Sequence, residues 1–229
     1  MTGAARQLTF DLPHRPAQGA EDFFVSASNA AAVDLIDRWP DWQHWAALVV
    51  GPQGAGKSHL AHVWQRRSGA ATVTGDSLGE DAIGALQTSR ALVVEDIDRG
   101  IADQKLLFHL LNVAREHKLS ILLTSRQAPG ELDIALPDLR SRLRAAPLIR
   151  IEAPDEALLR AVLVKLFADR QLTVEPHVIE YIALHIERSM QAANDVVAVI
   201  DRTALALQRR VTRAVAAAAL QEIQGGGDA

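Results

Sequence analysis

The run Gly51-Pro52-Gln53-Gly54-Ala55-Gly56-Lys57-Ser58 fits the pattern G-x-x-x-x-G-K-[ST]. Glycines in such a loop let backbone N–H groups turn inward around phosphate oxygens, and the start of the following helix adds its positive field. Lys57 is placed to reach β- and γ-phosphates, and Ser58 to hold Mg²⁺. Pro52, Gln53, Ala55 and His59 belong to the same cofactor-binding stretch. A glycine-rich turn needs no Lys-Ser at its end. That lysine also stands out: of 24 basic residues only Lys57, Lys105, Lys118 and Lys165 are Lys.

Three further runs carry candidate chemistry. Ala91-Leu92-Val93-Val94-Glu95-Asp96 is an apolar run ending in two acids. One acid can hold Mg²⁺ or its water, and the other can polarise an attacking water. Glu95 stands where such sites usually have Asp, one methylene shorter. Leu122-Leu123-Thr124-Ser125-Arg126 ends a second apolar run in hydroxyls. These suit an attacking water or a γ-phosphate, and suit a strand-end turn equally well. Leu139-Arg140-Ser141-Arg142-Leu143-Arg144 places Arg140 and Arg144 on one helix face and Arg142 on another. A guanidinium there suits the γ-phosphate of a neighbouring subunit; taken alone, the run reads as a solvated basic face.

Elements must position these residues. Ala46–Val50, Ala71–Thr74, Ala91–Val94, Ser120–Ser125 and Leu148–Ile151 read as strands. Most are continuously apolar, as strands buried on both faces are. Helical patterns follow from Lys57 to about Arg67 and through Leu106, Leu107, Leu110, Leu111, Val113 and Ala114. Strands alternating with helices predict an α/β fold with a parallel sheet. After Pro154 only helical spacing remains, with Pro176 at a helix start and Ser189 and Thr212 as N-caps. The expected organisation is a leader over 1–22, a nucleotide-binding base over 23–153, a helical lid over 154–224 and a tail over 225–229.

Composition narrows the class. The chain has 229 residues, 48% hydrophobic and 23% charged, with a net charge of −4. That balance argues against a protein that coats bulk nucleic acid. No cysteine is present, which excludes disulfides, thiolate metal sites and cysteine nucleophiles. Thirty-nine alanines favour helix. No apolar run reaches the ~18 residues of a membrane span, and no signal-peptide core precedes Asp11. A soluble cytoplasmic protein without membrane contact is expected.

Lys57, Glu95 with Asp96, Thr124 with Ser125, and Arg142 occur in the order of the Walker A, Walker B, sensor I and arginine-finger motifs of AAA+ ATPases, which the chain resembles. The resemblance implies a P-loop AAA+ parallel-sheet sandwich with a small C-terminal α-helical lid. Phe24–Ala31, Leu123–Pro129 and Leu136–Leu143 resemble segments of the bacterial replication initiator DnaA. The resemblance spans about residues 20–223 and leaves no room for DnaA's C-terminal DNA-binding domain.

A DnaA-like module without that domain is similar to the Hda family, which inactivates DnaA. Gln7-Leu8-Thr9-Phe10-Asp11-Leu12 is similar to the peptide by which Hda proteins bind the β sliding clamp. The resemblance implies ADP or ATP with Mg²⁺ as cofactors, and DnaA, the clamp and, through the clamp, DNA as partners. It implies nucleoid association through the clamp, and homo-oligomers are compatible with it. Arg142 becomes an arginine finger acting in trans, with Asp96, Thr124 and Ser125 as the other catalytic candidates. Gln7, Leu8, Phe10 and Leu12 become the clamp-binding residues.

Gln191 falls where AAA+ proteins carry the sensor II arginine, with Arg188 the nearby alternative. Glutamine is neutral and cannot replace a guanidinium. Together with Glu95 it predicts weak intrinsic hydrolysis, with ADP held as a structural ligand. Competing expectations are a helicase loader of the DnaC type, a clamp-bound adaptor with a vestigial loop and, more remotely, a small-molecule kinase. The loader needs a basic-aromatic stripe for single-stranded DNA, and none is evident. Direct DNA contact through Arg140, Arg144, Arg209, Arg210 and Arg213 is not placed by sequence.

Overall fold

The structure, a computed structural model, describes residues 14–15, 23–207 and 210–225. They form two compact units. One lies within residues 29–152; the other comprises 14–15, 23–28 and the chain from 153 onward.

The first unit contains α1 (Ala30–Asp37), β3 (Ala46–Val50), α2 (Lys57–Ser68), β4 (Ala71–Thr74), α3 (Asp81–Ser89), β5 (Ala91–Glu95), α4 (Gln104–His117), β6 (Ser120–Ser125), α5 (Pro137–Ala145) and β7 (Leu148–Arg150), the numbering following two short strands of the other unit, β1 (His14–Arg15) and β2 (Phe23–Phe24). Five strands make one parallel sheet in the order β4-β5-β6-β3-β7. The central strands β3, β5 and β6 are buried almost throughout, which explains their unbroken apolar sequences. Edge strand β4 instead alternates between half-buried and exposed positions.

The register aligns the strand ends. Val50 pairs with Ser125, and Val94 with Leu123. Gly51, Arg126 and the Glu95-Asp96 pair therefore leave the sheet at nearly one level. β3 leads to β4 at one edge while β7 pairs on its other side, so connections diverge beside its C-terminal end. In open parallel sheets that is where ligands bind.

Two packing features hold the loop after β3. Leu48, Leu107, Leu110 and Leu123 lie in the apolar core beneath it. Trp64, fully buried on α2, stacks on Trp42 with centroids 5.1 Å apart and meets Trp39 edge-on at 6.1 Å. These aromatic contacts fix the helix that begins at Lys57.

The second unit is mainly helical: α6 (Glu156–Asp169), α7 (Pro176–His185), α8 (Met190–Leu207) and α9 (Arg213–Gly225), with β1 paired antiparallel to β2 and β2 lying against α6. Its core joins Leu159, Leu163, Phe167, Ile182, Val196 and Ile200. Pro176 opens α7. Ser189 Oγ accepts the Ala192 N–H at 3.0 Å, and Thr212 Oγ1 accepts the Val215 N–H at 3.4 Å. Both act as N-caps, because a side-chain oxygen satisfies a donor that the helix start leaves unpaired.

Helices α1 and α3 lie in stretches without a clear helical pattern in the sequence. Both are short, and α3 contains Gly84, so neither has strong intrinsic propensity. Burial of Ala32 and Ile36, and of Ala82 and Leu86, stabilises them instead.

Candidate functional site

The loop from Gly51 to Gly56 has the backbone its sequence requires. Gly54 has φ +73° and Gly56 φ +102°, left-handed values that glycine adopts without steric cost. Gly56 caps α2, so Lys57 is its first residue. The Lys57 ammonium is buried and donates to the Gly51 carbonyl at 2.8 Å and the Pro52 carbonyl at 2.9 Å. Burial lowers its pKa, opposed by the nearby carboxylates of Asp96, Asp98 and Glu95. Pro52, Gln53, Ser58 and His59 are exposed around the loop, and Ala55 is buried beneath it.

Gly51 itself is needed for room. Its N–H donates to the Ser125 carbonyl at 3.2 Å, and a Cβ there would lie 2.3 Å from the Ile151 carbonyl oxygen. Gly51→Ala therefore forces β3 and the chain after β7 apart. The expected loss is about 1–3 kcal/mol, read as a lower urea midpoint at unchanged slope.

At the end of β5, Glu95 is half-buried. The Ser58 hydroxyl hydrogen-bonds its carboxylate, while Oε1 is buried with no hydrogen-bond partner. Burial raises the Glu95 pKa, outweighing the Ser58 bond, and the negative charge of Asp96 adds to the rise. Asp96 adopts a left-handed backbone (φ +52°), which Asp tolerates better than most residues. Its N–H donates to Thr124 Oγ1 at 3.0 Å, and its carboxylate pairs loosely with Arg99 at 3.7 Å.

Thr124 and Ser125 separate in use. Thr124, fully buried, joins the ends of β5 and β6. The Ser125 hydroxyl donates to the Gln127 carbonyl at 2.7 Å and accepts the Gln127 N–H at 3.0 Å. It closes a local turn with Gln127.

Asp98 and Arg126 form a pair that sequence reasoning missed. Arg126 Nε donates to Asp98 Oδ2 at 2.6 Å, and the Arg126 backbone N–H donates to Oδ1 at 2.9 Å. The Asp98 carboxylate is 1% exposed. Burial pushes its pKa up, but the side-chain and backbone bonds from Arg126 outweigh burial and hold it low. Arg126 ends one of the quoted strand-end runs and Asp98 lies two residues past the other, yet they are 28 positions apart, and only the register brings them together.

The three arginines of α5 also separate. Leu139 and Leu143 bury the inner face of the helix. Arg140 donates to the Ile134 carbonyl. Among the described residues the guanidiniums of Arg142 and Arg144 have no hydrogen-bond or ion-pair partner. Gln191, in the helical unit, donates from Nε2 to Asp195 at 2.8 Å within α8. Arg213 lies over the Tyr181 ring at 4.5 Å. Gln7, Leu8, Phe10, Leu12 and Arg209 lie outside the described residues.

The sheet edge thus gathers an inward-turned loop, a buried ammonium, a buried carboxylate oxygen without a partner and a serine hydroxyl. That set suits a polyphosphate with a hard cation. Among the described residues no group of three or more His, Asp or Glu is placed to hold a metal ion, and no helix is long and apolar enough to cross a membrane.

No protein-family model matches the chain. It is 30% identical over 197 residues to the chromosomal replication initiator protein DnaA of Cutibacterium acnes, covering 75% of this chain and 39% of that protein. The chain spans from 39% to 50% of the length of the curated relatives it matches. Among solved structures it superposes on domain III of the Thermotoga maritima replication initiation protein DnaA with a TM-score of 0.74 and 18% identity, covering 87% of this chain and 94% of that one. It also matches the AMPPCP-bound DnaA of Aquifex aeolicus, with a TM-score of 0.65 and 18% identity over 78% of this chain and 63% of that one. The fold is that of AAA+ domains, and the chain is homologous to the AAA+ domain of DnaA.

Proposed function

We propose that this chain is an adenine-nucleotide-binding AAA+ regulator of replication initiation that stimulates ATP hydrolysis by DnaA, as Hda proteins do. One observation carries the proposal: on a helix pinned by Leu139 and Leu143, Arg142 holds a guanidinium that nothing among the described residues engages. An arginine offered to a partner's triphosphate stabilises transition-state charge there. Homology to the DnaA module supports a complementary surface, because similar AAA+ units can pack side by side.

The chain's own loop fits ADP or ATP. Gly51, Gly54, Gly56, Lys57 and Ser58 would hold the phosphates, with Pro52, Gln53, Ala55 and His59 flanking them. Ser58 and the unpartnered oxygen of Glu95 would hold Mg²⁺. This ion is commonly held by one or two carboxylates together with phosphate oxygens, so an all-protein cage is not required. Lys57 and Mg²⁺ would offset the charge of the bound phosphates beside the strand-end carboxylates. Asp96 is the residue left to polarise water, and Thr124 fixes its backbone. Ser125 acts through its turn. The neutral Gln191 supplies no phosphate cation, which favours slow intrinsic turnover.

Gln7, Leu8, Phe10 and Leu12 would tether the molecule to the β sliding clamp, giving indirect contact with DNA and association with the nucleoid in a bacterial cytoplasm. The test mixes the full chain with ATP-loaded DnaA, clamp and DNA and measures ADP formed on DnaA. Joint substitution of Gln7 and Leu8 by alanine should weaken clamp binding about 10- to 100-fold, from loss of one buried leucine and its polar neighbour. Stimulation should fall with it. Clamp binding unchanged in this variant overturns the tether.

A further inference from the structure

The helix that carries Arg142 begins without a cap of its own. Leu136, at the N-cap of α5, has no side chain that can accept a hydrogen bond, and Pro137 follows it. In a capping box the residue three positions on reaches back to the N-cap N–H. Here that residue is Leu139, which is buried in the core. The Leu136 N–H is met from another helix instead: it donates to Gln104 Oε1 at 3.0 Å. Gln104 Nε2 donates in turn to the Asp133 carbonyl at 3.4 Å. One donor and one acceptor as partners fix which end of the amide faces which. We propose that Gln104 is a positioning residue that sets the entry of α5, and with it the direction in which Arg142 is offered. The inference rests on the role proposed above for Arg142.

Gln104 is the first residue of α4, so its place is set independently of α5. Asp103 caps α4, accepting the N–H groups of Lys105 and Leu106 at 2.8 and 2.9 Å. The Ala102 N–H donates to the Gly75 carbonyl at 2.9 Å, which ties this helix start to the turn beyond β4. A Cβ at Gly75 would lie 2.6 Å from the Gly100 carbonyl oxygen, so that turn is pressed against the chain that follows Asp96. The Gln104 amide thus carries the position of the strand ends to the entry of α5. Within that entry Arg140 donates to the carbonyl of the buried Ile134, which holds together the turn that Gln104 orients.

The lever arm is long enough to matter. Arg142 is the sixth residue of α5, about 9 Å along the axis from the helix start. A tilt of about 10° at the start moves its backbone by about 1.5 Å. A misplacement of about 1 Å can cost about 100-fold in rate. Leu139 and Leu143 hold the inner face of α5 to the core, but apolar burial is non-directional. The hydrogen bond at the N-cap is directional.

The experiment measures ADP formed on ATP-loaded DnaA, with clamp and DNA, while the full chain is titrated. Maximum rate and half-saturating concentration are then read separately. Gln104→Met keeps the length of the side chain and removes both bonds. It should lower the maximum rate about 10- to 100-fold and change the half-saturating concentration less than about threefold. Gln104→Glu keeps the acceptor that meets the Leu136 N–H and loses only the longer bond, so it should stay within about threefold of wild type. Thr212→Ala removes an N-cap in the helical unit, a loss of similar size, and should leave the maximum rate unchanged.

A wild-type maximum rate in Gln104→Met overturns the inference. A change confined to the half-saturating concentration also overturns it, because binding rather than aim is then lost. Equal losses in Gln104→Met and Gln104→Glu, or a loss in Thr212→Ala as large as that in Gln104→Met, overturn it by tracing the effect to packing or to stability. Arg142→Ala, measured beside them, keeps the two readings apart. If it loses stimulation while Gln104→Met matches wild type, only the positioning role falls. If Arg142→Ala itself stimulates like wild type, the finger falls.

Discussion

Arg142→Ala is expected to abolish stimulation of DnaA's ATP hydrolysis while leaving this chain folded and able to bind nucleotide. An arginine finger contributes about 10³- to 10⁵-fold in rate, so ADP formed on DnaA should fall to its unstimulated level. The substitution removes no hydrogen bond or ion pair among the described residues, and the buried faces of Leu139 and Leu143 are untouched. Alanine is also the better helix former. Thermal stability should therefore change by no more than about 0.5 kcal/mol, which separates loss of the guanidinium from loss of fold.

Arg144 is the internal control. Like Arg142 it is unpaired, but two residues along a helix turn it roughly 160° away around the axis, so one partner cannot meet both. Arg144→Ala should retain most of the stimulation. Arg142→Lys should not rescue it, because an ammonium lacks the planar fork that spans two phosphate oxygens. Full stimulation by Arg142→Ala would move the acting group elsewhere, and loss in Arg144→Ala alone would name that residue instead.

The contrast between α5 and the Asp98–Arg126 pair shows what the sequence carries. Leu139 and Leu143 at helical spacing already place three arginines around one helix. Likewise Lys57 follows a strand and opens a helix, because the glycine spacing and the apolar runs are local signals. The ends of β5 and β6 read correctly as polar, but which polar atoms meet is set by register. One residue of slip would put Thr124 Oγ1 out of reach of the Asp96 N–H. Ser125 illustrates the same limit. Its position suits phosphate contact or a turn equally, and its bonds to Gln127 are legible only in the folded chain. α1 and α3 escaped notice because burial, not pattern, stabilises them.

Lys57→Ala is the second large effect and tests whether the loop works or merely survives. In the folded chain the Lys57 ammonium lies close to the carboxylates of Asp96, Asp98 and Glu95. Its removal takes the nearest buried positive charge from Glu95, whose pKa is already raised, and pushes it further up. The variant loses the ammonium that would meet the phosphates. Loss of one charge-assisted bond weakens binding about 10- to 100-fold, for ADP and ATP alike. Calorimetry reads it directly. Stimulation of DnaA by the same variant at saturating clamp then decides between two roles. Loss shows that bound nucleotide is needed to present Arg142. Full stimulation without measurable nucleotide binding shows that the loop is a relic and that the molecule acts as an adaptor carrying an arginine.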